Sequence, residues 1–263
     1  MKLWLAPMEG ITDCAFRTLC YNNGADLTFT EMIRVDALNR KNKSTAALLD
    51  LKNETPTGIQ LLTVKPTEVQ KFVDEFSTYN IKPVQIDINA SCPSPDVIRV
   101  GSGAALIKRT NRINELITIL RKLNLPVSIK MRTGLNDYEQ KHKVYLNVLK
   151  NVDADAFIIH ARHARASSQE KADWSVFEEC FATGKHIVPN GDICEPEHVN
   201  FFKQLGAKEV MIGRAALRNP SVFNYLKGKE KLDMNLLKKE YLQLSQKFAF
   251  HPKYRESVMK GMN

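Results

Sequence analysis

Eight short apolar or alternating runs recur along the chain: Leu3–Met8, Leu27–Glu31, Gly58–Leu62, Val84–Asn89, Val127–Met131, Phe157–His160, Ile187–Asn190 and Val210–Ile212. Short branched runs bounded by turn residues read as buried strands. Between them the period changes to that of a helix. Val69, Phe72, Val73 and Phe76 share one face, as do Ile113, Leu116, Ile117 and Leu120, and Tyr145 with Val148 and Leu149 and Val199 with Phe202 and Leu205 repeat the pattern. Eight strands interleaved with helices predict an α/β fold of the (β/α)8 TIM-barrel type, with a doubly wound open sheet as the other architecture compatible with the alternation.

A barrel collects its site at the carboxyl ends of its strands. There the apolar runs end in polar groups: Pro7-Met8-Glu9, Glu31, Gln60, Asn89 to Cys92, Lys130 with Arg132, His160 with Arg162, Asn190-Gly191-Asp192 and Gly213-Arg214. Loops after the seventh and eighth strands commonly cradle a phosphate, which makes Gly191, Gly213 and Arg214 candidates for a phosphate-bearing cofactor. Gly101-Ser102-Gly103 is weaker, because it follows no strand directly and lacks the third glycine of a dinucleotide fingerprint. Cys92 stands where a strand gives way to Pro93 and Pro95, so its thiol sits in a turn.

After Asn219-Pro220 the strand rhythm stops. Leu237, Tyr241, Leu244 and Phe248 then mark an amphipathic helix starting near Asp233, a good N-cap. The expected organisation is a catalytic barrel over 1–225 and a short, basic helical segment over 226–263. The chain of 263 residues carries a net charge of +9, and from Lys227 onward nine basic residues face four acidic ones. Clustered positive charge suits a polyanion such as nucleic acid, or is simply a solvated surface.

Five widely spaced cysteines, with no Cys-x-x-Cys pair, argue against a disulfide framework or structural zinc. His160 and His163 lack a nearby carboxylate or cysteine cluster, so no metal is expected. No apolar run is long enough to span a bilayer and the first residues do not resemble a signal sequence, so a cytoplasmic protein without membrane attachment is expected.

Taken together, Ala6-Pro7-Met8-Glu9-Gly10-Ile11-Thr12-Asp13, Asp87-Ile88-Asn89-x-x-Cys92-Pro93, Lys130-Met131-Arg132-Thr133-Gly134, Ile159-His160-Ala161-Arg162, Asn190-Gly191-Asp192-Ile193 and Met211-Ile212-Gly213-Arg214 resemble the tRNA-dihydrouridine synthase family. The resemblance runs in order over roughly residues 3 to 223. It implies a flavoprotein oxidoreductase that binds FMN and reduces the C5–C6 double bond of chosen tRNA uridines. Hydride would pass from FMN N5 to C6, and NADPH or NADH would restore the flavin. Cys92 is implied as the acid that protonates C5, a role suited to a free thiol with a pKa of about 8.5.

By the same resemblance Pro7, Met8, Glu9, Gln60 and Asn89 would line the flavin, Lys130 would approach its N1/O2 edge, and His160 would touch it. Asn190, Gly191, Asp192, Gly213 and Arg214 would hold its phosphate end. Arg132, Arg162 and Arg165 are candidates for substrate phosphates. The partners implied are tRNA and NAD(P)H, with a monomer expected. Ser91 stands where the family commonly has glycine, and the segment after the barrel is shorter than the family's usual helical tRNA-gripping domain. Other readings of the residues are an FMN-dependent reductase of a free pyrimidine or small enone, a tRNA-binding or chaperone module, and a flavin-free phosphate-binding barrel.

Overall fold

The computed structural model describes residues 1–51, 55–248 and 252–262. All eight expected strands are present: β1 Lys2–Leu5, β2 Thr28–Arg34, β3 Thr57–Leu62, β4 Gln85–Ala90, β5 Val127–Arg132, β6 Ala156–His160, β7 Ile187–Asn190 and β8 Glu209–Ile212. They pair in parallel in the order β1-β8-β7-β6-β5-β4-β3-β2. The ring closes where Leu5 N–H donates to the Leu27 carbonyl at 2.8 Å, beside a parallel bridge from Trp4 to Leu27. This is the (β/α)8 barrel, not the open sheet.

Two strand boundaries differ from the pattern reading by more than one residue. β1 ends at Leu5, because Pro7 has no N–H to continue the ladder. β2 runs on past Glu31 to Arg34 with a register shift between Phe29 and Met32, and an irregularity of that kind cannot be seen in an alternation of residue types.

The helices bury the stripes the period assigned to them, except that Val73, Phe76 and Leu205 are only half-buried at the margins. Ile113, Leu116, Ile117 and Leu120 of the helix Thr110–Leu120 are buried, as are Val69 and Phe72 of the helix Pro66–Asp74 and Val199 and Phe202 of the helix Pro196–Gln204. Pro66, Pro95 and Pro196 each open a helix at its first turn, where the missing N–H costs no intrahelical bond. Apolar side chains facing the helices form the larger core. A second cluster fills part of the lumen, with Trp4, Phe29, Ile158, Val188 and Met211.

The helix Met234–Lys247 starts at Asp233, whose carboxylate accepts from Asn235 N–H at 2.9 Å and Leu236 N–H at 3.3 Å. Its buried face lies on the helix Cys14–Asn22. Tyr241 meets Phe16 edge-on at 6.5 Å between ring centroids, and its hydroxyl donates to Asp13 at 3.2 Å. Leu237, Tyr241, Phe248, Val258 and Met262 join the same buried cluster as the barrel's outer layer, so the core is continuous across residue 225. None of the helices among the described residues is long and apolar enough to cross a membrane.

Replacing Tyr241 with Ala is expected to lower stability by about 3–5 kcal/mol through the lost ring and the cavity it leaves. Tyr241→Phe, which only deprives Asp13 of one of its donors, should cost about 1 kcal/mol; urea unfolding of the two variants checks the ratio.

Candidate active site

A cavity of about 780 Å³ opens at the carboxyl ends of the strands. Its wall carries Pro7, Met8 and Glu9 after β1, Gln60 from β3, Asn89 and Cys92 at the end of β4, and Lys130 and Arg132 from β5. His160 and Arg162 follow from β6, Asn190, Gly191 and Asp192 from β7, and Gly213 and Arg214 from β8. Outside that wall lie Glu31, which accepts from the Gly10 N–H, and Arg165. Arg165 is exposed, and its N–H donates to the Leu135 carbonyl at 3.1 Å.

Lys130 is buried in the lumen with its ammonium at the cavity wall. It donates to Asn190 Oδ1 at 3.1 Å, and Asn190 donates from Nδ2 to the Met211 carbonyl at 2.8 Å, which fixes which end of the amide faces the lysine. Burial, reinforced by Arg132 and opposed by Asp87, pulls the Lys130 pKa down to about 8. An ammonium has three donors, and this one gives a single side-chain bond among the described residues, so it retains capacity toward a bound polar edge.

Beside it, Asp192 ties the last loops together. The residue sits in the left-handed region at φ 56°. One carboxylate oxygen accepts from Arg162 at 2.5 Å and from Ala172 N–H at 2.9 Å, and the other from Arg214 at 2.6 Å. Burial pushes the Asp192 pKa up, but the Ala172 N–H and the two guanidinium groups outweigh it and hold the carboxyl below its usual range. Arg162 is itself buried and also donates to the Glu170 carbonyl and to His160 Nε2, the latter at 3.0 Å. A guanidinium has no acceptor, so His160 Nε2 must accept and its proton lies on Nδ1. Burial and the surrounding Lys130, Arg132, Arg162 and Arg214 hold His160 well below the usual imidazole range, hence neutral.

The geometry also gives two of these residues a part in building the wall. Arg162 lines the cavity and at the same time braces the loop after β6 through its bonds to the Glu170 carbonyl, His160 and Asp192. Gly191, at φ 120°, is required by packing: a Cβ there would lie 3.0 Å from both His160 Cδ2 and Ala172 Cβ. Arg214, with its side chain about half exposed, remains available to an anion alongside its bonds to Asp192 and the Ser168 carbonyl.

Cys92 is half-buried, and all five cysteines are free thiols. Asn89 Oδ1 accepts from the N–H groups of both Ser91 and Cys92, at 3.0 and 2.9 Å. Arg132 donates from Nε to the Ser91 carbonyl at 3.1 Å and from a terminal nitrogen to the His163 carbonyl at 3.0 Å, joining the loops after β4 and β6. The Cys92 carbonyl accepts from Ala104 N–H at 3.0 Å. Burial, helped by Glu9, pushes the thiol's pKa up, against lowering by the Ser94 N–H, Arg34 and Arg132. The thiol therefore stays protonated at neutral pH.

The glycine-containing stretch 101–103 has a steric role. Gly103, at φ 54°, packs under Cys92: a Cβ would come within 2.7 Å of the Cys92 carbonyl oxygen and 2.6 Å of Val97 Cγ1. The sequence reading did not place Met32, Ser168, Gln169, Cys194 and Arg218 on the wall, nor the buried Asp87 beneath it. Asp87 did leave a signal, since Gln85, Asp87 and Asn89 alternate with Ile86, Ile88 and Ala90 and so share a face.

The strand ends of this α/β barrel thus gather a buried ammonium, a protonated thiol and an arginine-rich rim around one cavity. The barrel superposes on morphinone reductase with a TM-score of 0.55 at 11% identity, covering 91% of this chain and 88% of that one. On 3-hexulose-6-phosphate synthase the values are 0.54 and 11%, covering 86% and 97%. At such identities the likeness is one of fold.

The family model for dihydrouridine synthase (Dus) matches residues 4–260, and the chain belongs to that family. It is 30% identical over 238 residues to a probable tRNA-dihydrouridine synthase of Aquifex aeolicus (strain VF5), covering 88% of this chain and 74% of that protein. It is also 30% identical over 239 residues to the Xenopus tropicalis protein named tRNA-dihydrouridine(47) synthase, NAD(P)(+)-like, covering 89% of this chain. The chain spans 37% of that relative's length.

Gly103→Ala is expected to cost about 1–3 kcal/mol from backbone strain and to push the Cys92 turn outward, so that iodoacetamide alkylates Cys92 faster, as followed by peptide mass spectrometry. For Lys130 the sign follows from its lowered pKa. The unfolded chain binds more protons between pH 8 and 10.5, so the buried ammonium costs stability below pH 8 and that cost fades as pH rises toward 10.5. Lys130→Met should therefore raise the urea midpoint at pH 7, with the gain shrinking over that window.

Proposed function

We propose that this chain reduces uridine in tRNA to 5,6-dihydrouridine, as a monomeric cytoplasmic enzyme carrying FMN and drawing electrons from NADPH or NADH. The observation that carries the reading is the shared cavity of protonated Cys92 and buried Lys130 in a member of the dihydrouridine synthase family. The residues present fit the flavin: Lys130 has unspent donors for its polar edge, and Arg214 offers a cation at the rim for its phosphate. Pro7, Met8, Glu9, Gln60, Asn89 and His160 would bound the ring, while Asn190, Gly191, Asp192 and Gly213 would bound the phosphate side. Bound flavin would supply the hydride for C6 of the uracil.

The chain's own groups account for the rest. Cys92 gives its proton to C5, and the raised thiol pKa ensures that the proton is there to give at neutral pH. The thiolate left behind faces Arg34 and Arg132, whose charges favour it. Lys130, with a pKa of about 8, is an ammonium at pH 7 and stabilises negative charge developing beside it. Neutral His160 presents an N–H without adding charge. Exposed lysines such as Lys229 and Lys239 in the carboxyl-terminal segment add to a basic surface for the RNA backbone.

Incubation with FMN, NADPH and tRNA lacking dihydrouridine, followed by nuclease digestion and mass spectrometry, should yield uridine heavier by two hydrogens at a defined position. Cys92→Ala should keep FMN and tRNA binding and lose at least about 100-fold in turnover. Normal flavin turnover without any change in the RNA would discard tRNA as the substrate.

A further inference from the structure

Asp87 is fully buried in the lumen and reaches Cys92 only through other side chains. Its carboxylate accepts from Ser128 Oγ at 2.6 Å and from Gln60 Nε2 at 2.7 Å. Gln60 Oε1 in turn accepts from Asn89 Nδ2 at 2.8 Å, and Asn89 Oδ1 accepts from the N–H groups of Ser91 and Cys92. Gln85 Nε2 closes the far end on Ser128 Oγ at 3.1 Å.

The polarity of this relay is fixed at both ends. An ionised carboxylate can only accept, and two backbone N–H groups can only donate. Between them the amides of Gln60 and Asn89 satisfy every contact in one orientation only, nitrogen toward Asp87 and oxygen toward Cys92. We propose that Asp87 is a positioning residue for Cys92: it sets the sense of the Gln60 and Asn89 amides and so anchors the turn that carries the thiol. The catalytic meaning of this relay rests on the function proposed above, whereas its existence does not.

Paired substitutions can reverse the relay, which makes it testable. In Asp87→Asn the introduced amide can turn its nitrogen to Gln60, flipping both following amides and setting Asn89 Nδ2 against two N–H groups. In Asn89→Asp two carboxylates compete for the one nitrogen of Gln60. In the double variant every contact is again satisfied in the opposite sense. Ser128 donates to the oxygen of the introduced amide, and the nitrogen of that amide donates to Gln60 Oε1. Gln60 Nε2 then donates to the introduced carboxylate, which still accepts from the N–H groups of Ser91 and Cys92.

Amide hydrogen exchange at Ser91 and Cys92, read at pH 8 with the β4–β5 ladder as internal reference, decides the matter. Burial raises the Asp87 pKa only to about 6, so the carboxylate is ionised there. Each single substitution should speed exchange of these two amides by at least about tenfold, and the double variant should return it to within about threefold of the original. A Cys92 alkylation rate that rises and falls in parallel supports the same conclusion. Unchanged exchange in folded Asp87→Asn, or a double variant no better than its parents, overturns the relay. Dihydrouridine formation is measured separately. A relay that behaves as described beside an enzyme inactive on tRNA would overturn the proposed function and leave the positioning intact.

Discussion

Strands β3, β4 and β5 turn polar side chains into a lumen that shields them from water, and the deepest of those groups must find their partners there. Asp87 and Ser128 are buried, as are Gln60, Gln85 and Lys130, while the neighbouring wall of the same lumen is closed by Trp4, Phe29, Ile158, Val188 and Met211. An unpaired polar group in such a place costs on the order of 1–3 kcal/mol, so pairing between strands is imposed, not optional. The parallel register makes it possible by setting Gln60 beside Asp87 and Asp87 beside Ser128. The same parity carries upward, so that Asn89 and Lys130 arrive at the cavity floor already committed on one side and open on the other.

At the rim the ordering force is charge. Arg162 is almost wholly enclosed, and a buried guanidinium without a counter-ion would be strongly unfavourable. Asp192 supplies that counter-ion and shares it with Arg214, leaving one net positive charge among the three where the loops after β6, β7 and β8 converge. The left-handed backbone of Asp192 and the glycine before it are what allow one carboxylate to face both arginines. The positive surplus of the rim and the positive charge of Lys130 at the floor give the cavity an electrostatic direction suited to an anionic ligand.

The strands were legible because each is a short branched run whose carboxyl end turns polar, and this signal survives without any knowledge of partners. Most of the charged and polar wall followed from it, since a barrel brings the strand ends together. Periodicity reports which face a side chain occupies but not what it meets. Arg162 and Arg165 illustrate the limit, being the same residue type three positions apart in one loop. One is drawn inward by Asp192 and the Glu170 carbonyl and the other is left outside, a choice made by residues far along the chain. Gly103 was read for what it lacked as a phosphate motif, whereas its role is steric and depends on the Cys92 turn folding back onto it.

The carboxyl-terminal helix was legible as amphipathic and capped, but its pattern could not say whether the apolar face meets the barrel or a partner. In the fold that face is spent: Leu237 and Tyr241 are buried, and the Tyr241 hydroxyl is bound to the carboxylate that caps the helix Cys14–Asn22. What the helix turns to solvent is its outer face, with Lys239 and Gln243, and it is this face that can meet a polyanion. On the proposed function, its contribution to RNA affinity is therefore long-range and screened by salt, because exposed lysines hold phosphates through charge without fixing a sequence. Extruding a base costs a few kcal/mol, and the binding energy that offsets it has to come from many such contacts spread across the barrel face as well as the tail.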